Sequence, residues 1–346
     1  MASIGMDSFN RKPFIIAEIS GNHSQSYELA REMIASAADA GVDAVKLQTY
    51  RADTMTLDSS SEDFIITETD SLWFGRKLYD LYDQASTPWH WHKPLFDYAK
   101  SLGLIAFSSP FDLSAVEFLE TLDAPLYKVA SFELTDLPLI QAIAVTGKPT
   151  IMSTGMASLD EIEEAVLAFR AISDAELVLL KCTSTYPAKV EDSNLATIPD
   201  LAARFNCRVG LSDHTRGIGA AVASIALGAT VIEKHFVLDR SDGGVDAEFS
   251  MEPHEMAALV QNCHQAHAAI GSVRYSGSED EQKAKKYRRS IYLTQNLAAG
   301  TVIQPEHIKI IRPSLGLAPK YWADVVGRIL SRDVKLGQPL SWDLLD

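Results

Sequence analysis

A (β/α)8 barrel followed by a small β-rich module is the α/β architecture this sequence predicts. Three observations carry it. Eight short, nearly continuous apolar runs recur through roughly the first three quarters of the chain; helix-period segments alternate with them; and the texture changes after residue 275. Runs of that kind suit parallel strands buried on both faces. Eight strand–helix units in about 270 residues match the size of such a barrel.

The candidate strands are FIIAEIS (14–20), AVKLQT (44–49), LIAFSS (104–109), LYKVAS (126–131), PTIMST (149–154), ELVLLKC (176–182), RVGLS (208–212) and TVIEKH (230–235). After the first, Leu29, Met33, Ile34, Ala37 and Ala40 recur at helical spacing. Ile162, Val166, Phe169 and Ile172 form a second stripe, introduced by a capping box of Ser158 and Glu161. Met256, Leu259, Val260, Cys263, His267 and Ile270 form the last, with Pro253 near its start. An open doubly wound sheet ranks second, because the turn after the first strand reads SGNHSQS and lacks a phosphate-binding glycine loop.

Two stretches depart from the pattern. Residues 50–88 are far longer than an ordinary strand-to-helix loop and hold Trp73, Phe74, Tyr79, Tyr82 and, just beyond, Trp89. Long loops at the carboxyl end of a barrel act as lids or substrate walls, the alternative being an oligomer-facing insertion. Residues 276–289 are charged and weakly apolar and read as a linker between a barrel (1–275) and a module (290–346). A module that small has a thin core and is expected to lean on a partner subunit.

The chain has 346 residues, 31 Lys plus Arg against 46 Asp plus Glu, and a formal charge of −15. Such a field disfavours nucleic acid and anionic membrane as partners, while leaving room for a small anion held by local lysines. Three widely spaced cysteines, Cys182, Cys207 and Cys263, fit neither a disulfide framework nor a zinc ribbon. The opening MASIGMDSFNRKP lacks the apolar core of a signal peptide, and no run is long enough to span a bilayer. The expectation is a cytoplasmic protein.

In a barrel, residues at the carboxyl ends of different strands meet at one mouth. The polar residues there are Glu18, Ser20, Asn22 and His23; Lys46 and Gln48; Ser108 and Ser109; Lys128, Ser131 and Glu133; Ser153 and Thr154; Thr183, Ser184 and Tyr186; Ser212, Asp213 and His214; and Lys234, His235, Asp246 and Glu248. Lys46 and Lys128 sit inside apolar strands, where an ammonium must be paired. Three uses are open: an anion pocket, ion pairs with Glu18 or Glu133, or a Schiff-base amine. His214 and His235, on adjacent strands, are a weak metal signal by themselves. Two nitrogens would leave the other positions to water and substrate oxygens, as suits Mn²⁺ or Mg²⁺. His264 and His267 fall on the last outer helix, His90 and His92 begin another, and Cys182 reads as a packed thiol.

FIIAEIS-GNH, VKLQTY, FSSPFD, YKVASFE, STGM, CTSTYP, GLSDHT and EKHF occur in order along the barrel, and RPSLGLAP lies in the C-terminal module. Together they resemble the sialic acid synthase family, transferases that condense phosphoenolpyruvate with an amino sugar and carry a C-terminal antifreeze-like (SAF) domain. The resemblance implies that Lys46, Ser109, Lys128, Ser131, Ser153, Ser184 and Ser212 hold phosphoenolpyruvate and that His214 and His235 hold a divalent metal. It implies that Glu18, Gln48, Glu133, Tyr186 and Asp246 face the sugar or shuttle protons. Arg312 would reach the sugar's acyl group from the partner subunit of a domain-swapped homodimer. Family members acting on N-acetylmannosamine or legionaminate precursors usually carry a Pro-Asp-His-Lys-Ala-Ser type segment after the eighth strand. Here the segment is GGVDAEFSMEP, keeping only Asp246, which is similar to the branch using 2,4-diacetamido-2,4,6-trideoxy-L-altrose. Rivals of other classes are a metal-dependent barrel aldolase or hydrolase without phosphoenolpyruvate, and a non-enzymatic binder.

Overall fold

The computed structural model describes residues 12–69, 71 and 73–346; most of the opening segment read for a signal peptide, residues 1–11, lies outside them. Strands β1 (Phe14–Glu18), β2 (Ala44–Thr49), β3 (Ile105–Pro110), β4 (Tyr127–Val129), β5 (Thr150–Ser153), β6 (Leu177–Cys182), β7 (Arg208–Ser212) and β8 (Val231–His235) pair in chain order, and β8 closes parallel onto β1. Each of the eight apolar runs supplies one of them, and the barrel is the predicted fold. Ser158 does begin the helix Leu159–Arg170 with the expected reciprocal bonds: its N–H donates to Glu161 Oε2 at 2.7 Å and its Oγ accepts from Glu161 N at 3.3 Å.

The two faces of the pleat divide the labour. Ile15, Ala17, Val45, Leu47, Val129, Leu179 and Ile232 pack outward into the layer formed by helix residues such as Met33, Leu95, Val166 and Leu259. Phe14, Ile16, Ala44, Phe107, Leu126, Ile151, Val178, Leu180 and Val231 form a separate inner cluster that plugs the amino-terminal half of the barrel. Side chains alternate with a period of two. The next inward positions along the strands are therefore Glu18, Lys46, Ser109, Lys128, Ser153, Cys182, Ser212 and Glu233. A dry floor thus underlies a ring of polar groups. At Gly210 the floor leaves no room at all, since a Cβ there would meet Val231 O at 2.1 Å.

The long excursion after β2 holds helices Ala52–Met55 and Leu78–Ala85 and an antiparallel bridge between Ile65 and Lys77. Ser272–Asp346 form the second compact unit. The stretch 276–289, expected as a linker, falls within that unit and carries the helix Glu279–Ala284. Its start is a capping box of Ser278 and Glu281, easily lost among so many charges. Strand β9 (Ser290–Leu293) pairs antiparallel with β10 (Ile308–Ile311). Its core holds Ile291, Leu293, Ile303, Ile308, Val325, Leu330 and Leu340. All three cysteines are free. Among the described residues no helix is long and apolar enough to cross a membrane.

Candidate active site

Lys46 and Lys128 project into the barrel above the apolar floor and are only 4% and 2% exposed. Lys46 Nζ lies 2.5 Å from Glu18 Oε2, 3.2 Å from Ser109 Oγ and 3.7 Å from Glu233 Oε2. Lys128 Nζ lies 3.4 Å from Glu233 Oε1, which also accepts from Ser212 Oγ at 3.1 Å. Two ammoniums facing two carboxylates keep the chamber neutral, as burial requires. The pairing expected with Glu18 is present for Lys46. Lys128 pairs instead with Glu233, which the sequence reading missed. The signal was there: Glu233 stands two residues before His235 and so shares its face.

Burial works against the charge on Lys46, but Glu18 and Glu233 outweigh it and raise its pKa. Lys128 is held below the ordinary lysine value, because burial and the neighbouring Lys46 oppose its charge and Glu233 offsets them only in part. A ring of hydroxyls surrounds the pair. Ser131 Oγ accepts from Gly155 N at 3.1 Å, and buried Ser153 Oγ has no partner within the protein. A Cβ at Gly155 would stand 2.1 Å from Ser184 Oγ and 2.8 Å from Ser131 Oγ, so glycine there lets the serines beyond β4 and β6 close in. Two cations beside the unpartnered Ser153 hydroxyl and its serine neighbours have the chemistry to take a phosphate and a carboxylate. Glu133 carries a buried, unpartnered Oε2, and burial, only partly countered by Lys128, lifts its pKa to about 7.

The second half of the site is imidazole. The His214 and His235 rings lie 5.2 Å apart. His214 Nδ1 is 2.8 Å from the Thr183 carbonyl, to which it donates; burial opposes a charge on this ring, but Cys182 and that carbonyl raise its pKa. His235 Nδ1 is buried, has no hydrogen-bond partner, and stands 3.6 Å from Asp246 Oδ2. Burial first, then the nearby cationic side chains, keep the His235 pKa well below the usual value, so its ring is neutral. Among the described residues no three His, Cys, Asp or Glu side chains converge as a complete metal cage. An orphaned neutral imidazole beside an oriented one nonetheless suits an ion that takes its remaining ligands from water and substrate.

Asp246 borders this pair. Its carboxylate accepts from Ser20 Oγ, and its N–H donates to Asn22 Oδ1 at 3.0 Å. Gln48 Nε2 donates to Glu18 Oε1 at 3.2 Å, with Ser20 Oγ 3.4 Å away. The Tyr186 ring lies 4.6 Å from that of His214 and 5.0 Å from that of Phe249. Cys182, expected to lack an activating neighbour, has its Sγ 3.9 Å from His214 Nδ1 and 3.8 Å from Ser184 Oγ. Burial opposes ionisation of this thiol, but His214 draws its pKa down to about 6.

Several polar residues expected at the mouth serve the scaffold instead, because they lie on the outer face of the pleat or in its flanking loops. Lys234 Nζ is spent on Asp213 Oδ2 at 2.9 Å and on the Thr215 and Gly217 carbonyls. Ser108 Oγ meets Thr49 Oγ1 at 2.6 Å, and Thr49 in turn meets buried His92. His23 Nε2 turns to Thr87 Oγ1 at 3.0 Å. Thr154 and Thr183 bond backbone carbonyls, and Glu248 pairs with Arg216 at 2.8 Å. Arg312 is an exposed residue of the second unit, immediately after β10.

With this geometry in hand, the comparisons with known proteins agree with one another. A family model described as the NeuB family matches residues 33–275, and one described as the SAF domain matches residues 288–346. A pseudaminic acid synthase of Campylobacter jejuni is 44% identical over 98% of this chain and 98% of its own. Another from Helicobacter pylori is 41% identical over 96% of this chain and 97% of its own. Among solved structures, the N-acetylneuraminic acid (sialic acid) synthetase of Leptospira borgpetersenii in complex with citrate superposes with a TM-score of 0.71. It is 31% identical and covers 80% of this chain and 90% of that one.

Proposed function

The chain belongs to the NeuB family, and from that premise we propose that it condenses phosphoenolpyruvate with 2,4-diacetamido-2,4,6-trideoxy-L-altrose, giving pseudaminic acid and inorganic phosphate. The observation that carries the reading is the adjacency of two buried lysines, ringed by serine hydroxyls of which Ser153 is unpartnered, to a pair of imidazoles at the same barrel mouth. The near full-length likeness to synthases of that name supports the choice of sugar.

Lys46 and Lys128 neutralise the enol phosphate and, with Ser109, Ser131, Ser153, Ser184 and Ser212, fix which face of its C3 is turned outward. Positioning of this kind supplies a large part of the rate. A divalent ion held by His214 and His235, Mn²⁺ or Mg²⁺, would supply Lewis-acid polarisation of the sugar's aldehyde oxygen. C3 then bonds to the aldehyde carbon, water adds at C2, and the C2–O bond breaks to release phosphate. Glu18, Gln48, Tyr186 and Asp246 orient the open-chain sugar.

Glu133 takes the proton of the attacking water. A base must be ionised to act, and a carboxyl with a pKa near 7 becomes ionised as the pH rises through that value. The kcat profile of the wild type is therefore expected to climb between about pH 6 and 8, and Glu133→Gln to lose both the limb and most of the rate. A limb surviving in the Gln variant reassigns the proton transfer.

Arg312 of a partner subunit reaches the sugar's acyl group, so the working form is a domain-swapped dimer in the cytoplasm. The deciding experiment is phosphate release from phosphoenolpyruvate with the altrose sugar and N-acetylmannosamine side by side. Turnover restricted to the altrose sugar is expected; equal or faster turnover of the mannose sugar overturns the assignment.

A further inference from the structure

Within the excursion after β2, Ile65 and Ile66 lie against Gly75, Arg76 and Lys77. Ile66 N donates to Arg76 O at 2.9 Å, Gly75 N to Ile66 O at 2.8 Å, and Arg76 N to Trp73 O at 3.1 Å. Trp73 stands at the turn, half-buried. Its indole N–H donates across the mouth to Val245 O at 3.3 Å, the residue before Asp246. Its ring centroid lies 6.2 Å from that of Tyr186, in the loop after β6. One side chain thus ties together three separate strand-to-helix loops, and it meets two of them beside groups of the reaction centre.

Tyr186 and Phe249 continue the same surface. The Phe249 ring lies 5.0 Å from His235 and 5.9 Å from His214. The inward ring of Lys46, Lys128 and the serines is, apart from Cys182, lined by charged and hydroxyl groups. The site therefore presents hydroxyls and ammoniums to the phosphate-bearing reactant and aromatic faces to whatever occupies the outer half. An aromatic wall packs against the C–H face of any sugar, but a hydroxyl turned into it loses water without a partner. The wall gains from methyl groups. The proposed sugar carries three: two on its acetamido groups and one at C6.

We propose that Trp73 is a specificity-determining residue, forming with Tyr186 and Phe249 the wall that receives the methyl groups of the sugar. The inference rests on the reading above and deepens it by naming the part of the sugar recognised. Discrimination of about tenfold or more follows from one such apolar contact.

The test is steady-state phosphate release by wild type, Trp73→Ala and Trp73→Phe, using the 6-deoxy altrose sugar and its 6-hydroxy analogue. Trp73→Ala is expected to raise the KM for the 6-deoxy sugar about tenfold or more and to shrink the preference over the 6-hydroxy analogue. The KM for phosphoenolpyruvate stays within a factor of about two, since that pocket lies on the floor side. Trp73→Phe, which keeps a ring but not the N–H, shows a smaller rise with the preference largely retained, and it decides the matter if the Ala variant does not fold. An unchanged sugar KM, or an equal rise for both reactants, overturns the wall. Should the wild type ignore the altrose sugar and consume another acetamido sugar, the proposed function fails. The same KM split, measured on that sugar's acetamido methyl, still decides the role of Trp73.

Discussion

Replacing Lys128 by alanine is expected to lower kcat/KM for phosphoenolpyruvate by about 10²–10³-fold, the usual cost of removing one preorganised charge from a developing anion. Two effects act together. The substrate loses a cation that burial keeps free of competing water, and Glu233 loses the partner 3.4 Å away that balances its charge. Breaking a buried pair from one side costs about 3–5 kcal/mol, so the melting temperature falls as well. The double variant Lys128→Met with Glu233→Leu separates the two effects, removing both charges at once. It recovers much of the melting temperature and none of the phosphoenolpyruvate affinity. A Lys128→Ala enzyme that keeps its KM for phosphoenolpyruvate contradicts the anion pocket.

Removing divalent metal is expected to abolish turnover. Lysines would bind and orient an enol phosphate, but polarising the aldehyde calls for a Lewis acid, which the His214 and His235 imidazoles would hold. Saturating EDTA followed by dialysis is expected to leave a folded protein without phosphate release, and added Mn²⁺ or Mg²⁺ to restore it. His235→Ala removes the neutral, unpartnered imidazole and lowers the metal content measured by atomic emission, along with activity. Full turnover in saturating EDTA, or an unaltered metal content in the variant, rules out the imidazole pair as a metal site.

The barrel was legible because each strand is a compact apolar run between helix-period stripes, and Phe14, Val45, Leu179 and Ile232 are buried where such runs predict. The site was legible only as far as the strand ends. Reading every polar residue there as a mouth residue placed Lys234 and Ser108 at the mouth, whereas the period of two sends both to the helix layer. The same period, applied to β8, would have brought Glu233 inside. Cys182 looked inert because its neighbour His214 is 32 residues away and meets it only when β6 and β7 pair. Trp73 was visible as an aromatic in a long loop. Its bond to Val245 spans 172 residues, and nothing local announces it. The helix at Glu279–Ala284 was hidden by composition, since its capping box lies in a run of charges that reads as solvated linker.

The most direct measurement follows the bridging oxygen of phosphoenolpyruvate. With ¹⁸O at that position and the altrose sugar as co-substrate, the label is expected to leave entirely in inorganic phosphate, because C2–O cleavage expels it. Label retained on C2 of the nine-carbon product, or a condensation that releases no phosphate, would contradict the chemistry assigned to this barrel mouth.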